Sequence, residues 1–392
     1  MWYGSFLFYS LIFGVVVFAV RQYELSINRG FVLTDTKRKK WVIRINAKTL
    51  PWEFLTTSLL ILLAGLRGID VGADTISYYN IFEEIKRYSI IEYMPMHLAN
   101  TSVVSGLRIE FGFQILNHVS YLIADSYNLF LTICESICVL FVWKGIKYYH
   151  IKYGISIPLM MYFYLMFEYF HTYNVIRFSL GVALVFYAYR YVIEKKYIHY
   201  IVYVLLAASI HKISLFCLGF ILFNFLERGF LRKYGVWIIG IALALIIPNL
   251  NRLLTLIRGI GLFAYEGGYT LQANQNKIIS ATLYSIIFFA PLVIKYKEWY
   301  KNFDNAVPIF GISIMYLPLN LLAYYNFFFT RLSRFGMLLM CVLICKFLKE
   351  KKSIINIPLW EAYYTVFALA AHIFEVYISD GPGIYPYALF FH

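Results

Sequence analysis

The chain has 392 residues, of which 61% are hydrophobic and 14% charged, with a formal net charge of +14. Soluble domains carry about 25% charged residues, and the mean hydropathy here is +0.67. A set of soluble domains is therefore excluded, and a polytopic helical membrane protein is expected. In such a chain the basic excess marks topology, not nucleic acid, because Lys and Arg collect in cytoplasmic loops.

Apolar runs fall at about residues 2–20, 51–66, 127–143, 155–171, 174–193, 198–211, 212–226, 235–250, 278–294, 307–323, 333–348 and 357–377. The longer ones suffice to cross roughly 30 Å of hydrocarbon, so the expected fold is all-α, with about 12 transmembrane spans plus external interfacial or re-entrant helices. The first run has no basic leader and is followed by Arg21, which reads as a retained helix and not as a cleaved signal. Basic connections at 21–49, 144–152, 190–196, 228–233, 295–301 and 346–352 hold 24 of the 35 Lys and Arg. Placing them inside puts both termini outside.

Two segments are constrained by that topology. Residues 111–124, "FGFQILNHVSYLIA", have external flanks on both sides and read as a helix lying in the outer interface, or dipping in and returning. The run 198–226 must start and end inside, so it turns near His211–Lys212, with arms of roughly 21 Å each at about 1.5 Å per residue. No repeat, linker or low-complexity tract divides the chain, and one integral-membrane domain over residues 1–392 is expected. Its longer external segments are 67–126 and 251–277, the second of which could lie over a site as a lid. The five cysteines (Cys134, Cys138, Cys217, Cys341, Cys345) all sit in apolar runs, which suits packing better than disulfides or metal.

The polar residues that remain crowd the outer side. Arg67, Asp70 and Asp74, in "AGLRGIDVGADTISYYNIF", emerge at the end of the second span, and Glu110 closes the same external loop. Arg177 begins the 174–193 span, His211 stands at the turn just described, and Arg331 and Arg334 open the 333–348 span. Charge near lipid is costly, so these groups need partners, which are either each other or an anionic ligand. Simpler readings stand beside this one. Gly68 and Gly72 suit a tight turn, with Asp70 or Asp74 capping a helix at Thr75, and a single Arg at a span end can snorkel to headgroups. Glu135, in mid-span, reads as a helix-packing hydrogen bonder. His97, His118, His171 and His372 lack metal-site spacing, and neither a bound metal nor a cofactor is expected. No phosphate-binding Gly-rich loop, HExxH or GxSxG pattern occurs in the sequence.

Three stretches, "LRGIDVGADTISYYNIF", "RIEFGFQILNHVSYLIADSYNLFL" and "NVIRFSLGVALVFYAYRYVIEKKYIHYIVYVLLAASIHKISL", together with a later "RLSRF", resemble the EpsG/Wzy-type bacterial polysaccharide polymerases. The likeness runs from about residue 60 to 225 and over 331–335, in conserved order and spacing. It implies an integral-membrane glycosyltransferase related in fold to the class C enzymes and O-antigen ligases, which makes O-antigen, capsule or exopolysaccharide in the bacterial inner membrane. Donor and acceptor would be oligosaccharide repeat units linked to undecaprenyl pyrophosphate, joined at the periplasmic face. A flippase and a chain-length regulator would be its protein partners, the lipid bilayer its surroundings, and nucleic acid no partner.

The residues fit that chemistry. A departing pyrophosphate gathers negative charge, which fixed guanidinium groups stabilise; Arg177 and Arg334, with Arg67 or Arg331, are the candidates for this clamp. The acceptor hydroxyl must lose a proton to a general base, for which Asp74, Glu110 and His211 all qualify. Asp70, Tyr78 and Tyr79 are candidates for orienting sugar. A ligase of the O-antigen type would use the same groups. A lipid-linked oligosaccharide flippase is the rival outside the transferases, but it needs polar residues along a path through both leaflets.

Overall fold

The structure, a computed structural model, describes residues 2–28, 47–87, 103–104, 107–227, 328–349, 357–378, 383–384 and 387–389, with single positions at 234, 238, 309, 311, 312, 316 and 319. The expected runs 235–250, 278–294 and most of 307–323, and the 251–277 segment, lie outside the described residues. The described chain is mainly helical. Its elements are α1 (Trp2–Asn28), α2 (Leu50–Gly65), α3 (Thr75–Ile85), α4 (Phe111–Ile123), α5 (Tyr127–Tyr153), α6 (Ile157–Phe167), α7 (His171–Asn174), α8 (Ile176–Ile193), α9 (Tyr197–Ile210), a 3-10 helix (Lys212–Glu227), α10 (Phe328–Lys349) and α11 (Ile357–His372). A two-residue antiparallel pair, Val103–Val104 with Leu107–Arg108, precedes α4. Among these helices, Gly4–Ile27 of α1, α5 and α8 are long and apolar enough to cross a membrane.

The chain forms two compact units, residues 1–183 with 348–392, and residues 184–347. In the first, α2 packs between α1 and α5, α6 packs on α1 and α11, and α4 lies against α5. Gly65 leaves no room for a Cβ against Thr132, which marks the close approach of α2 to α5. At the other end of the same helix pair, Glu53 Oε1 accepts hydrogen bonds from Trp143 Nε1 (2.8 Å) and Lys147 Nζ (2.6 Å). Nearby, Glu24 Oε1 accepts from the backbone N–H of Ile157 at the start of α6 (3.0 Å). In the second unit, α9 packs on the 3-10 helix, and the Tyr200 hydroxyl donates to the Cys217 carbonyl (2.7 Å).

Several faces are inside-out by the standards of water. Helix α4 turns Gln114, Asn117 and His118 inward and leaves Leu122 and Ile123 72% and 66% exposed. Helix α1 exposes Leu7, Leu11, Val15 and Phe18 along one side. Contiguous bare aliphatic faces of this size suit hydrocarbon and not solvent.

Two boundaries differ from the sequence reading. Helix α5 continues ten residues beyond the apolar run ending at 143, because Lys144 and Lys147 lie over the Phe141 and Trp143 rings and do not break the helix. It ends at Gly154, whose φ of 67° closes it in the left-handed region. The expected span 155–171 stops at Phe167, after 11 residues, about 16 Å at 1.5 Å per residue. The aromatic run that follows leaves the helical path so that the Tyr169 hydroxyl can donate to the Leu60 carbonyl (2.7 Å). The break at His211, by contrast, falls where the charges required it. Its backbone is extended (φ −151°, ψ 107°), and the 16-residue arm after it, wound as a 3-10 helix, reaches about 32 Å at roughly 2.0 Å per residue.

Candidate functional site

Helix α2 ends at Gly65, and the chain then turns through the Arg-Gly-x-x-x-Gly segment. Arg67 is 1% exposed. Its guanidinium donates to the carbonyls of Ala64 (2.6 Å) and Tyr173 (3.3 Å) and stacks 4.5 Å from the Tyr173 ring centroid. Ala64 is one of the last carbonyls of α2, where a cation is favoured by the helix dipole. Asn128, in the first turn of α5, donates to the carbonyls of both Gly65 (2.8 Å) and Arg67 (3.0 Å). The C-terminal segment closes over the turn: Gly68 N–H donates to the Ala388 carbonyl and Gly72 N–H to the Gly383 carbonyl, each at 2.8 Å. Tyr387 donates its hydroxyl to the Leu63 carbonyl (2.9 Å). Burial pushes that phenol up to about 12, against the pull of the Arg67 charge, so it stays a neutral donor.

Gly72 has a φ of +106°, and a Cβ there would lie 2.5 Å from the Tyr173 carbonyl oxygen. Both constraints demand glycine. Helix α3 then starts at Thr75, as expected, but Asp74 makes no side-chain cap hydrogen bond. Instead the Thr75 hydroxyl donates to the carbonyls of Val71 (2.7 Å) and Tyr173 (3.1 Å), and the Asp74 N–H donates to Asn174 Oδ1 (2.9 Å).

The second stretch arrives at the same place. Glu110 occupies the N-cap position of α4 with extended backbone, and its side chain leaves the helix axis for Arg177, in the first turn of α8. Arg177 Nη1 lies 2.7 Å from Glu110 Oε2, and the two side chains are 8% and 10% exposed. The Arg177 guanidinium lies over the Phe113 ring (5.7 Å), which in turn meets Tyr78 and Phe130. Segment 173–177 thus receives Arg67 and Thr75 on the Tyr173 carbonyl, Asp74 on Asn174 and Glu110 on Arg177. Three stretches that are distant in sequence meet there.

A family model described as the EpsG family matches residues 52–389. The chain belongs to the EpsG family. Neither the curated proteins nor the solved structures offer a match. EpsG membership, with the membrane-length helices, makes this a membrane protein whose role is of the polysaccharide-polymerase type at a coarse level.

The remaining candidates in this EpsG chain divide by location. Asp70 and Asp74 are exposed. Tyr78 is buried, and Tyr79 is half-buried with its ring against Tyr127 (5.3 Å), so both rings serve the contact of α3 with its neighbours. His211, Arg331 and Arg334 belong to the second unit. His211 is buried at the end of α9, and Arg331 and Arg334 are half-buried in the opening turns of α10. Among the described residues no group of three or more His, Cys, Asp or Glu is placed to hold a metal ion.

Sequence reasoning passed over Asn128, Tyr173 and the 383–389 segment, which hold the Arg67 turn in place. Asn128 sits in the first turn of a span, where a buried amide needs partners, and that was the signal available. A narrow cleft beneath the turn is lined by Arg67, Leu131, Cys134, Glu135, Cys138, Thr172 and Ile176. There Glu135 shares a hydrogen bond with Thr172, the packing role its position suggested.

Proposed function

We propose that this EpsG-family protein is a polysaccharide polymerase that transfers a growing glycan from undecaprenyl pyrophosphate onto the next lipid-linked repeat unit, at the periplasmic face of the bacterial inner membrane. The observation that carries this reading is the buried Arg177–Glu110 pair at 2.7 Å, formed by the two motif residues suited to a leaving anion and to a departing proton. In the resting protein each neutralises the other. When the donor enters, its pyrophosphate oxygens replace Glu110 on the Arg177 guanidinium, and Glu110 is released to act as base.

The bond between the anomeric carbon and the phosphate oxygen then breaks, and its electron pair leaves on the pyrophosphate. The acceptor hydroxyl oxygen forms the new glycosidic bond, and its proton passes to Glu110. Guanidinium charge carries the leaving group, so the proposed step is metal-independent. One such charge-assisted contact lowers the barrier by about 2–4 kcal/mol, roughly 30- to 900-fold in rate. Arg67 has a different part: with its guanidinium held by two carbonyls it fixes the turn against segment 173–177, and so positions Arg177.

The test is gel analysis of surface glycan in a deletion strain complemented with variants. Deletion should leave single repeat units. Arg177→Lys, which keeps the charge beside Glu110 but loses the fork geometry, should yield few and short chains at normal protein level. A wild-type ladder from Arg177→Lys and Arg177→Ala alike would sink the clamp, and glycan absent altogether on deletion would point to a flippase.

A further inference from the structure

A second polar cluster lies at the far end of α8. Arg190 is in the last turn, thirteen residues from Arg177, or about 20 Å along the axis at 1.5 Å per residue. Its guanidinium stands 4.0 Å from the Tyr187 ring centroid and 4.4 Å from that of Tyr191, and Nη2 donates to the Tyr191 hydroxyl at 2.5 Å. The Tyr187 and Tyr203 rings meet at 5.6 Å beside it. The Tyr203 and His199 rings stack on Tyr191 at 5.6 Å and 5.2 Å. Three phenols and a guanidinium are thus gathered at one point.

The cluster is rich in donors and poor in acceptors. Arg190 Nε has no hydrogen-bond partner among the described residues. Glu194, the nearby carboxylate, is held by Lys196 Nζ at 2.5 Å. Lys195 and Lys196 are exposed on the same turn, and His199 at the start of α9, so among the described residues Arg190, Lys195 and Lys196 are gathered beside Glu194. From this point α9 runs on with Ile198, Val202, Leu205 and Leu206 exposed by 77%, 59%, 51% and 49%. That spacing puts them on one helix face, while Tyr200, Val204 and Ala207 are buried on the other.

An occupant must bring acceptor oxygens to the cluster and aliphatic chain to the bare face, and an anionic phospholipid has both in the right order. We propose that Arg190 with Tyr187, Tyr191 and Tyr203 binds the phosphate of an anionic phospholipid whose acyl chains lie along Ile198, Val202, Leu205 and Leu206. The Arg190 guanidinium and the phenolic O–H groups donate to the phosphate oxygens, the guanidinium and the hydroxyls turning outward to meet them. Lys195 and Lys196 add the field that concentrates anionic lipid near a basic turn.

The test uses the full chain purified in detergent, with phosphatidylglycerol and phosphatidylcholine added in mixed micelles and bound lipid counted by native mass spectrometry. The wild-type protein should retain phosphatidylglycerol over phosphatidylcholine. Arg190→Gln should weaken that retention on the order of five- to tenfold, and Tyr203→Phe by a smaller but measurable factor. Lys152→Gln, which removes the same charge from the exposed last turn of α5, should change it by less than about twofold. Equal losses in Arg190→Gln and Lys152→Gln would mean diffuse surface charge and overturn the site. Displacement of the lipid by inorganic phosphate would overturn the lipid reading. If Arg190→Gln fails to fold, Tyr203→Phe decides: unchanged retention rejects the phenol cluster.

Discussion

Removing Arg177 and Glu110 singly and together separates what the pair does for the fold from what it does for the reaction. At 2.7 Å and an effective dielectric of about 20, the attraction between the two charges is about 6 kcal/mol. Both side chains are at most 10% exposed, so little of this is screened, but several kcal/mol per ion went into desolvating them. The net contribution of the pair to stability is therefore near zero. Removal of one partner takes the countercharge at 2.7 Å away from a buried ion, at a cost of about 3–5 kcal/mol. Arg177→Met should thus lower the thermal midpoint of the purified protein strongly. The double variant Arg177→Met/Glu110→Gln should recover to within about 1 kcal/mol of wild type, because no uncompensated charge is left. Polymer should be lost in the single and the double variant alike. If the double variant loses the sum of its two single effects, the charges are not coupled. If it makes a wild-type ladder, the pair is a strut and the catalytic reading fails.

Gly72→Ala combines a positive φ with a Cβ 2.5 Å from a backbone oxygen and should cost about 1–3 kcal/mol. Gly68→Ala, whose nearest contact would be an ordinary 3.5 Å, should be nearly silent in the same thermal unfolding assay; equal effects would refute the turn geometry. His118 is buried on the inward face of α4, and burial lowers its pKa from 6.5. The unfolded chain then binds the extra proton, so the stability this residue contributes is complete above about 6.5 and drains as pH falls through it towards the lower folded value. The loss is about 1.4 kcal/mol for each unit of depression. His118→Gln should flatten the fall of the melting temperature on mild acidification, and an unaltered pH profile would show that the histidine is not its source.

Much of this was legible in the primary structure. Helix α3 begins at Thr75, α4 spans 111–123 within the expected 111–124, and α9 breaks at His211, because turn chemistry, hydrophobic period and the balance of charges act over a few residues. The motif stretches also announced the family, which the match over residues 52–389 bears out. The roles within the motif were less legible. Arg67 and Arg177 look alike as arginines at span ends, yet one is held by the carbonyls of Ala64 and Tyr173 and the other faces Glu110.

The sequence alone determined that this chain belongs in a membrane, that it belongs to its family, and where α3, α4 and the break after α9 fall. The first and the last of these follow from transfer energies and local backbone preferences, which each residue carries with it. Only the tertiary structure decided that residues 67–75 and 110–113 meet on segment 173–177, that Gly383 and Ala388 close over the 67–72 turn, and that Glu110 and Arg177 are partners across 67 positions of chain. Such pairings depend on how α2, α5 and α8 are packed, because a guanidinium has no preference for one oxygen until the surrounding helices bring that oxygen within reach.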